Sequence, residues 1–276
     1  MANFISNISG GVYKRTAKLF ENRFNKVGFS WWKMRVLKNL SAKKHHTVGF
    51  LDKKISFVSR VEFLHSVDEL FIEEIYKQKL RPNPLIIDCG ANIGLSVIYM
   101  KKLAPDARII AFEPDDLNFK LLKQNIGYFG LDDVDARKEA IWIENTTLKF
   151  ASEGSLMSRI DAREKAASIE VKATRLRELM TEKIDFLKID IEGAEYHVIT
   201  DIADKLPLVE NLFLEYHGTF AQNGELREIF DIIHDNGFHF YIKEAITKHP
   251  HPFERKQSID YDVQLNIFCF RYISAR

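Results

Sequence analysis

Apolar side chains recur at Tyr13, Ala17, Phe20, Phe24, Val27, Trp31 and Met34, in alternating steps of four and three. That spacing draws one stripe along an α-helix. Gly28 and Ser30 interrupt it late, so two shorter helices are the alternative. Residues 48–63 read as one or two short strands. Residues 67–80 predict a further helix, with Ser66 as N-cap and Glu69 completing a capping box. Pro82 and Pro84 close this region. They place a boundary between a helical extension with short strands, residues 1–81, and a main domain, residues 82–276.

From there short apolar runs alternate with helical spacing. Strands are expected over 85–89, 108–112, 134–142, 147–151, 184–189, 212–215, 238–243 and 263–272. Helices are expected over 95–103, 117–128, 194–205 and 225–236. Repeated βα units imply an α/β fold with a mostly parallel sheet and helices on both faces. The last two strands have no helix between them, which suggests an antiparallel strand at one edge. Residues 245–262 form a long connection, favoured as a lid over an acceptor.

Composition changes this picture little, but charge does. At 276 residues with 46% hydrophobic side chains, the chain can bury a full core. No apolar run reaches the roughly 18 residues that span a bilayer, and the N-terminus lacks the form of a secretory signal. A cytoplasmic protein is therefore expected, and Cys89 and Cys269, both inside apolar runs, read as buried reduced thiols. The net charge of +1 hides an asymmetry: residues 1–60 carry 13 Lys or Arg against Glu21 and Asp52. Such a segment reads either as a cap on the domain or on a second copy, giving a homo-oligomer, or as a helix lying on an anionic membrane. No stacking-and-basic groove motif accompanies it, so nucleic acid is not expected.

The candidate chemistry lies at strand ends. Leu85-Ile86-Ile87-Asp88-Cys89-Gly90-Ala91-Asn92-Ile93-Gly94 is a strand, an acid, a turn and a helix start. Glycines there let a ligand approach main-chain N–H groups. Glu113 ends the next strand about 20 residues on, where an acid can bind both hydroxyls of a ribose. Asp88 ahead of the turn would repel a pyrophosphate but suits a cationic ligand, which favours S-adenosylmethionine over NAD. A second cluster, Asp185 to Glu195, closes a strand at Asp190, at the carboxyl edge where open α/β sheets bind ligands. Glu195 reads chiefly as a helix cap. Glu215 and His217 share a face on the strand after it. His217 is the first choice of general base, since an ordinary imidazole titrates near 6.5. Asp190 and Glu215 could together hold Mg²⁺ through oxygen, and the remaining histidines show no zinc-like arrangement with cysteine.

The segments LIIDCGANIGLSVIYM, IIAFEPDDLNFKLLKQNI, KEAIW, DFLKIDIEGAEYHVI and LFLEYH, in this order, resemble the FkbM family of methyltransferases over about residues 85–243. The resemblance implies a class I, Rossmann-like fold on a mostly parallel seven-stranded sheet, with S-adenosylmethionine as donor. It also implies O-methylation of a hydroxyl, in many members one on a sugar of a polysaccharide, glycolipid or natural product. By the same resemblance Asp88, Gly90, Ala91, Asn92 and Gly94 form the donor loop and Glu113 binds the ribose. Glu139 and Ala140 line the adenine side, with Glu139 where Asn is common. Lys188, Asp190, Glu192 and Gly193 flank the transferred methyl group. The acceptor is a small molecule or glycan. A binding or scaffold protein that keeps the fold without turnover is the alternative.

Overall fold

The computed structural model describes residues 23–42, 44–151, 159–160, 168–254 and 261–271. The chain divides into two compact units, Met1–Tyr76 and Lys77–Arg276. Among the described residues no helix is long and apolar enough to cross a membrane.

In the first unit a 3-10 turn, Arg23–Val27, ends at Gly28, whose φ of +77° breaks the stripe. Ser30 then caps helix α1 (Trp31–Lys38), its hydroxyl accepting from the Lys33 amide at 3.3 Å. The alternative of two shorter helices is thus met after residue 23; the start of the stripe lies outside the described residues. Strands β1 (His46–Phe50) and β2 (Lys53–Phe57) form an antiparallel hairpin. Helix α2 (Arg60–Val67) follows and runs into a π-helical turn, Asp68–Ile72. This corrects the helix expected over 67–80: the cap is Ser59, whose hydroxyl accepts from the Glu62 amide, not Ser66. Packing decides between the two caps, because the earlier start turns Phe63 and Val67 into a core with Phe29, Phe50, Phe57 and Phe71. Phe57 and Phe63 stack at 4.1 Å and Phe50 meets Phe71 edge-on at 4.9 Å.

The second unit continues with β3 (Leu85–Cys89), α3 (Leu95–Leu103), β4 (Arg108–Phe112), α4 (Asp116–Phe129) and β5 (Asp135–Arg137). Next come β6 (Ala140–Trp142), β7 (Thr146–Ala151), β8 (Arg159–Ile160), β9 (Ser168–Arg175) and the single turn α5 (Leu176–Leu179). The chain ends with β10 (Ile184–Ile189), α6 (Glu195–Asp201), β11 (Val209–Gly218), α7 (Asn223–Asp235), β12 (His239–Glu244) and β13 (Val263–Phe270). Seven strands form the main sheet in the order β12-β13-β11-β10-β3-β4-β5, all parallel except β13. This is a mostly parallel, Rossmann-like seven-stranded sheet, as the family resemblance implies. From β3 the chain first winds outward through β4 to β5, then returns and winds the other way through β10 and β11. Right-handed crossovers in opposite directions put helices on both faces. The direction reverses between β3 and β10, the switch point where such sheets bind ligands.

Three expectations need correction here. The antiparallel strand is not at the edge: β13 lies between β11 and β12, so each of its edges has a partner. The strand expected over 134–142 is two, interrupted at Lys138 and Glu139, with β5 in the main sheet and β6 in another. That second sheet, of four strands in the order β6-β9-β7-β8, includes β8 and β9, which the sequence reading did not anticipate. Behind the site Leu85, Ile87, Ile184, Leu187 and Leu212 pack with Val198, Ile199, Ile229 and Ile233 of α6 and α7 in one buried core.

Candidate active site

The site assembles at the carboxyl ends of β3, β4, β10 and β11. Parallel register sets Lys188 of β10 beside Asp88 of β3 and opposite Phe213 of β11. The loop after β3 is tied across the edge. The amides of Gly90 and Ala91 both donate to the Phe112 carbonyl, and the Asp190 amide donates to Cys89 at 3.0 Å. Gly90 has φ +89°, and a Cβ built on it would fall on the main-chain oxygen of Asp190. Only glycine fits between β3 and β10 at this point. Asn92 also lies in the left-handed region, at φ +48°, which asparagine tolerates better than most residues.

Two acids hold this loop from beneath. Asp88 is buried and accepts the Ser96 hydroxyl on Oδ2 at 2.5 Å. Its Oδ1 makes no hydrogen bond and lies 3.4 Å from the Lys188 ammonium. Glu113 is also buried, with Oε2 accepting from the Asn92 amide at 2.8 Å and Oε1 from the Asp115 amide at 2.9 Å. Each oxygen keeps a lone pair. Burial pushes the Glu113 carboxyl up to about 8, against the two amides that favour its ionised form. Asn125 completes the support by donating to the Ile93 carbonyl at 2.8 Å.

Beside the loop is a second, denser group. The Lys188 ammonium donates to the Gly90 carbonyl at 2.7 Å and to Asp190 Oδ2 at 3.1 Å. His217 is buried among three carboxylates: Nδ1 lies 3.2 Å from Glu195 Oε1, and Nε2 lies 3.6 Å from Glu215 and 3.8 Å from Glu192. Although burial alone would lower it, the neighbouring carboxylates, Glu192 and Glu195 foremost, raise the imidazole well above 6.5. Burial lifts Asp190 to about 6 and Glu192 to about 8. Glu215 moves down: burial opposes ionisation, but His217, Gln264 and Lys188 together outweigh it. This differs from the role expected of His217. Its side chain is 2% exposed while those of Asp190, Glu192 and Glu215 are 17–18% exposed, so the carboxylates reach solvent and the ring does not.

Three residues that the sequence reading left out of the catalytic set hold this group. Glu195 is the first residue of α6 rather than its cap, which is Ala194; its carboxylate turns back to accept from the amides of Ile191 and Gly193, so the expected helix cap is instead a brace for the 190–193 turn. Tyr261 donates its hydroxyl to the Glu192 carbonyl at 2.6 Å, and its ring lies 5.1 Å from His217. Gln264 pairs in register with His217 and donates to Glu215 at 2.7 Å. Residues 255–260 of the connection expected to act as a lid lie outside the described residues. Glu139 is turned elsewhere, its carboxylate accepting from Lys172 at 2.6 Å and from Thr174 on β9. Those hydrogen bonds outweigh burial and hold it below its ordinary value. Ala140 is buried in β6 against Ala173.

The residues present fit S-adenosylmethionine. The Gly90 cradle admits close backbone approach, Asp88 keeps one carboxylate oxygen without a hydrogen bond, and each Glu113 oxygen keeps a lone pair that a hydroxyl could use. Separately, Asp190, Glu192 and His217 each bring one donor atom within 4.8 Å of the others, a spacing that could hold a divalent cation.

The family description Methyltransferase FkbM domain matches residues 88–240. Methyltransferase 1 of Beauveria bassiana is 28% identical over 199 residues, covering 61% of this chain and 79% of that protein. The 31-O-demethyl-FK506 methyltransferase FkbM of Streptomyces tacrolimicus is 24% identical over 211 residues, covering 62% and 79%. The 2-O-methyltransferase NoeI of Sinorhizobium fredii is 28% identical over 177 residues, covering 55% and 72%.

Proposed function

The chain belongs to the FkbM methyltransferase family, and we propose that it moves a methyl group from S-adenosylmethionine to a hydroxyl oxygen of a small molecule or glycan. The observation that carries the cofactor is the glycine cradle between β3 and β10, with Asp88 and Glu113 fixed on either side of it. Transfer to oxygen is supported by two relatives named for O-methylation. A sugar hydroxyl, in a polysaccharide, glycolipid or glycosylated natural product, rests on the family resemblance alone.

Asp88, Gly90, Ala91, Asn92 and Gly94 would hold the amino-acid part of the cofactor, and Glu113 its ribose. When bound, the cofactor supplies a methyl group activated on a sulfonium. The protein's own work is positioning and proton removal. Asp190 is the group we assign as proton acceptor for the hydroxyl, because it is partly exposed and is held by Lys188. Glu215 stays ionised beside it and orients the acceptor. His217, cationic and sealed, balances the carboxylates and keeps their positions. A Mg²⁺ held by Asp190, Glu192 and His217 is a second reading, which replaces the cationic role because only a neutral imidazole has a lone pair for a metal; it requires that a chelator abolish turnover and that added Mg²⁺ restore it.

Calorimetric titration tests the cofactor. Micromolar binding of S-adenosylmethionine, lost in Asp88→Ala and untouched by NAD, is expected; no binding to well-folded protein overturns the reading in favour of a scaffold. Asp190→Asn should keep that binding and lower methyl transfer at least about a hundredfold.

A further inference from the structure

We propose that the outward face of α1 docks the protein on an anionic lipid surface. On this helix Met34 and Leu37 turn inward, 7% and 2% exposed. The opposite side leaves Trp31 at 44%, Trp32 at 70% and Val36 at 62% exposed. Two neighbouring tryptophans and an aliphatic one turn further on are an unusual load for a water-facing helix of eight residues. The indoles meet edge-on at 4.6 Å, so they form one projecting apolar ridge. Indole prefers the headgroup level of a bilayer, where its ring is apolar and its N–H still finds water.

Charge points to the same partner. From Asn22 to Leu51 the chain carries seven Lys or Arg and no acid. Arg35 and Lys38 sit on α1 itself, both exposed. Two of the seven are already engaged: the Lys33 ammonium donates to the carbonyls of Gly49 at 2.7 Å and Gly28 at 3.3 Å, and the Arg23 guanidinium pairs with Asp68. A basic surface bearing projecting indoles complements an anionic leaflet, with each cation near the surface adding to the attraction. Nucleic acid fits less well. The Arg35 guanidinium already lies over the Trp31 ring, 5.6 Å from its centroid, where a base would stack, and Val36 has no use against a base. The contact is shallow and reversible, because one short helix offers no span. It rests on nothing in the cofactor site, so its failure would leave the proposed activity standing.

The test is co-sedimentation of the full chain with vesicles of phosphatidylcholine alone, and of phosphatidylcholine with about a quarter phosphatidylglycerol. The wild type is expected on the anionic vesicles only, less so as salt rises. The double variants Trp31→Ala/Trp32→Ala and Arg35→Glu/Lys38→Glu should each weaken binding about tenfold or more. All four side chains are exposed, and unchanged thermal melting and S-adenosylmethionine binding would show that the fold survives. No sedimentation at low salt overturns the proposal, as does wild-type binding by both variants. Binding that ignores the tryptophans and is fully competed by duplex DNA overturns it too, marking a general polyanion surface instead.

Discussion

Gly90 and Asp190 touch main chain to main chain: a Cβ on Gly90 would occupy the place of the Asp190 carbonyl oxygen. The contact joins the cofactor loop to the strand end that carries the proposed proton acceptor, so neither can shift without the other. Gly90→Ala adds the forced clash to a left-handed φ of +89°. Backbone has to move, at a cost of about 1–3 kcal/mol. The expected result is a lower melting temperature together with loss of S-adenosylmethionine binding by calorimetry. An alanine variant that binds normally would mean the loop is free to open.

As the proposed ribose acceptor, Glu113 should give cofactor affinity a pH dependence. Burial raises its carboxyl from 4.5 to about 8 in the free protein, so folding favours the protonated acid. Its contribution to stability is complete below about 4.5 and is lost as pH rises through about 8. Ribose hydroxyls donate, and so prefer the carboxylate. Binding below about 8 therefore expels a proton, and affinity should climb by up to about tenfold per pH unit before levelling near 8. Titrations in buffers of different ionisation enthalpy measure the released proton. Glu113→Gln should weaken binding and flatten the slope; a steep slope in that variant would assign the proton to another group.

The strands that build the site were legible because they are short apolar runs with turn residues at both ends. Residues 85–89, 108–112 and 184–189 emerge with the bounds their patterns predict. The caps in the first unit were not, because Ser59-x-x-Glu62 and Ser66-x-x-Glu69 carry the same local chemistry. Only the burial of Phe63 and Val67 separates them. In the site, Asp88, Glu113 and Asp190 could be read as acids closing apolar strands. Gln264 and Tyr261 could not, since their partners Glu215 and Glu192 lie 49 and 69 residues away and meet them only through the β11–β13 register and the chain leading into it. Nor does periodicity report that five carboxylates converge on His217 and Lys188. That crowding inverts the ordinary expectation for the imidazole.

Both thiols should be silent in the folded protein. Cys89 is 0% and Cys269 2% exposed, and burial pushes the latter up to about 12 and the former higher still. A thiolate is the reactive form, so little of it exists near neutrality. An aromatic disulfide reagent at about pH 8 is expected to find no thiol in native protein and both after denaturation. Rapid labelling of either in the folded state would contradict the packing around β3 or β13.

Asp185 braces the far end of the same strands. Its Oδ2 accepts from the Leu85 amide at 2.8 Å and its Oδ1 from Arg81 at 2.7 Å, with Asp185 itself 4% exposed. Asp185→Ala strands a buried amide, at a cost of about 1–3 kcal/mol. Denaturant unfolding should show that loss, with S-adenosylmethionine affinity nearly unchanged because the ligand-binding edge lies at the other end of the strands. A large loss of affinity would instead show that register errors travel along β10.

Glu195 offers the sharpest separation between holding the site and taking part in it. It is buried, touches His217 Nδ1, and accepts from the Ile191 and Gly193 amides on either side of Glu192. Glu192 has φ +58°, a conformation a side chain adopts at a cost, so the turn depends on those bonds. Glu195→Gln keeps the shape and one acceptor oxygen but removes a charge facing the imidazole. The His217 cation should then be less favoured, and its NMR titration should move down from its present position well above 6.5. Cofactor affinity should stay within about threefold, since Asp88, Gly90 and Glu113 are untouched, whereas kcat should fall about tenfold or more as Asp190 and Glu215 lose their ordered cation. Glu195→Ala should cost stability as well, by about 1–3 kcal/mol for the stranded amides. If Glu195→Gln left both kcat and the His217 titration unchanged, the imidazole would owe its charge to Glu192 and Glu215 alone, and Glu195 would be no more than a brace for the 190–193 turn.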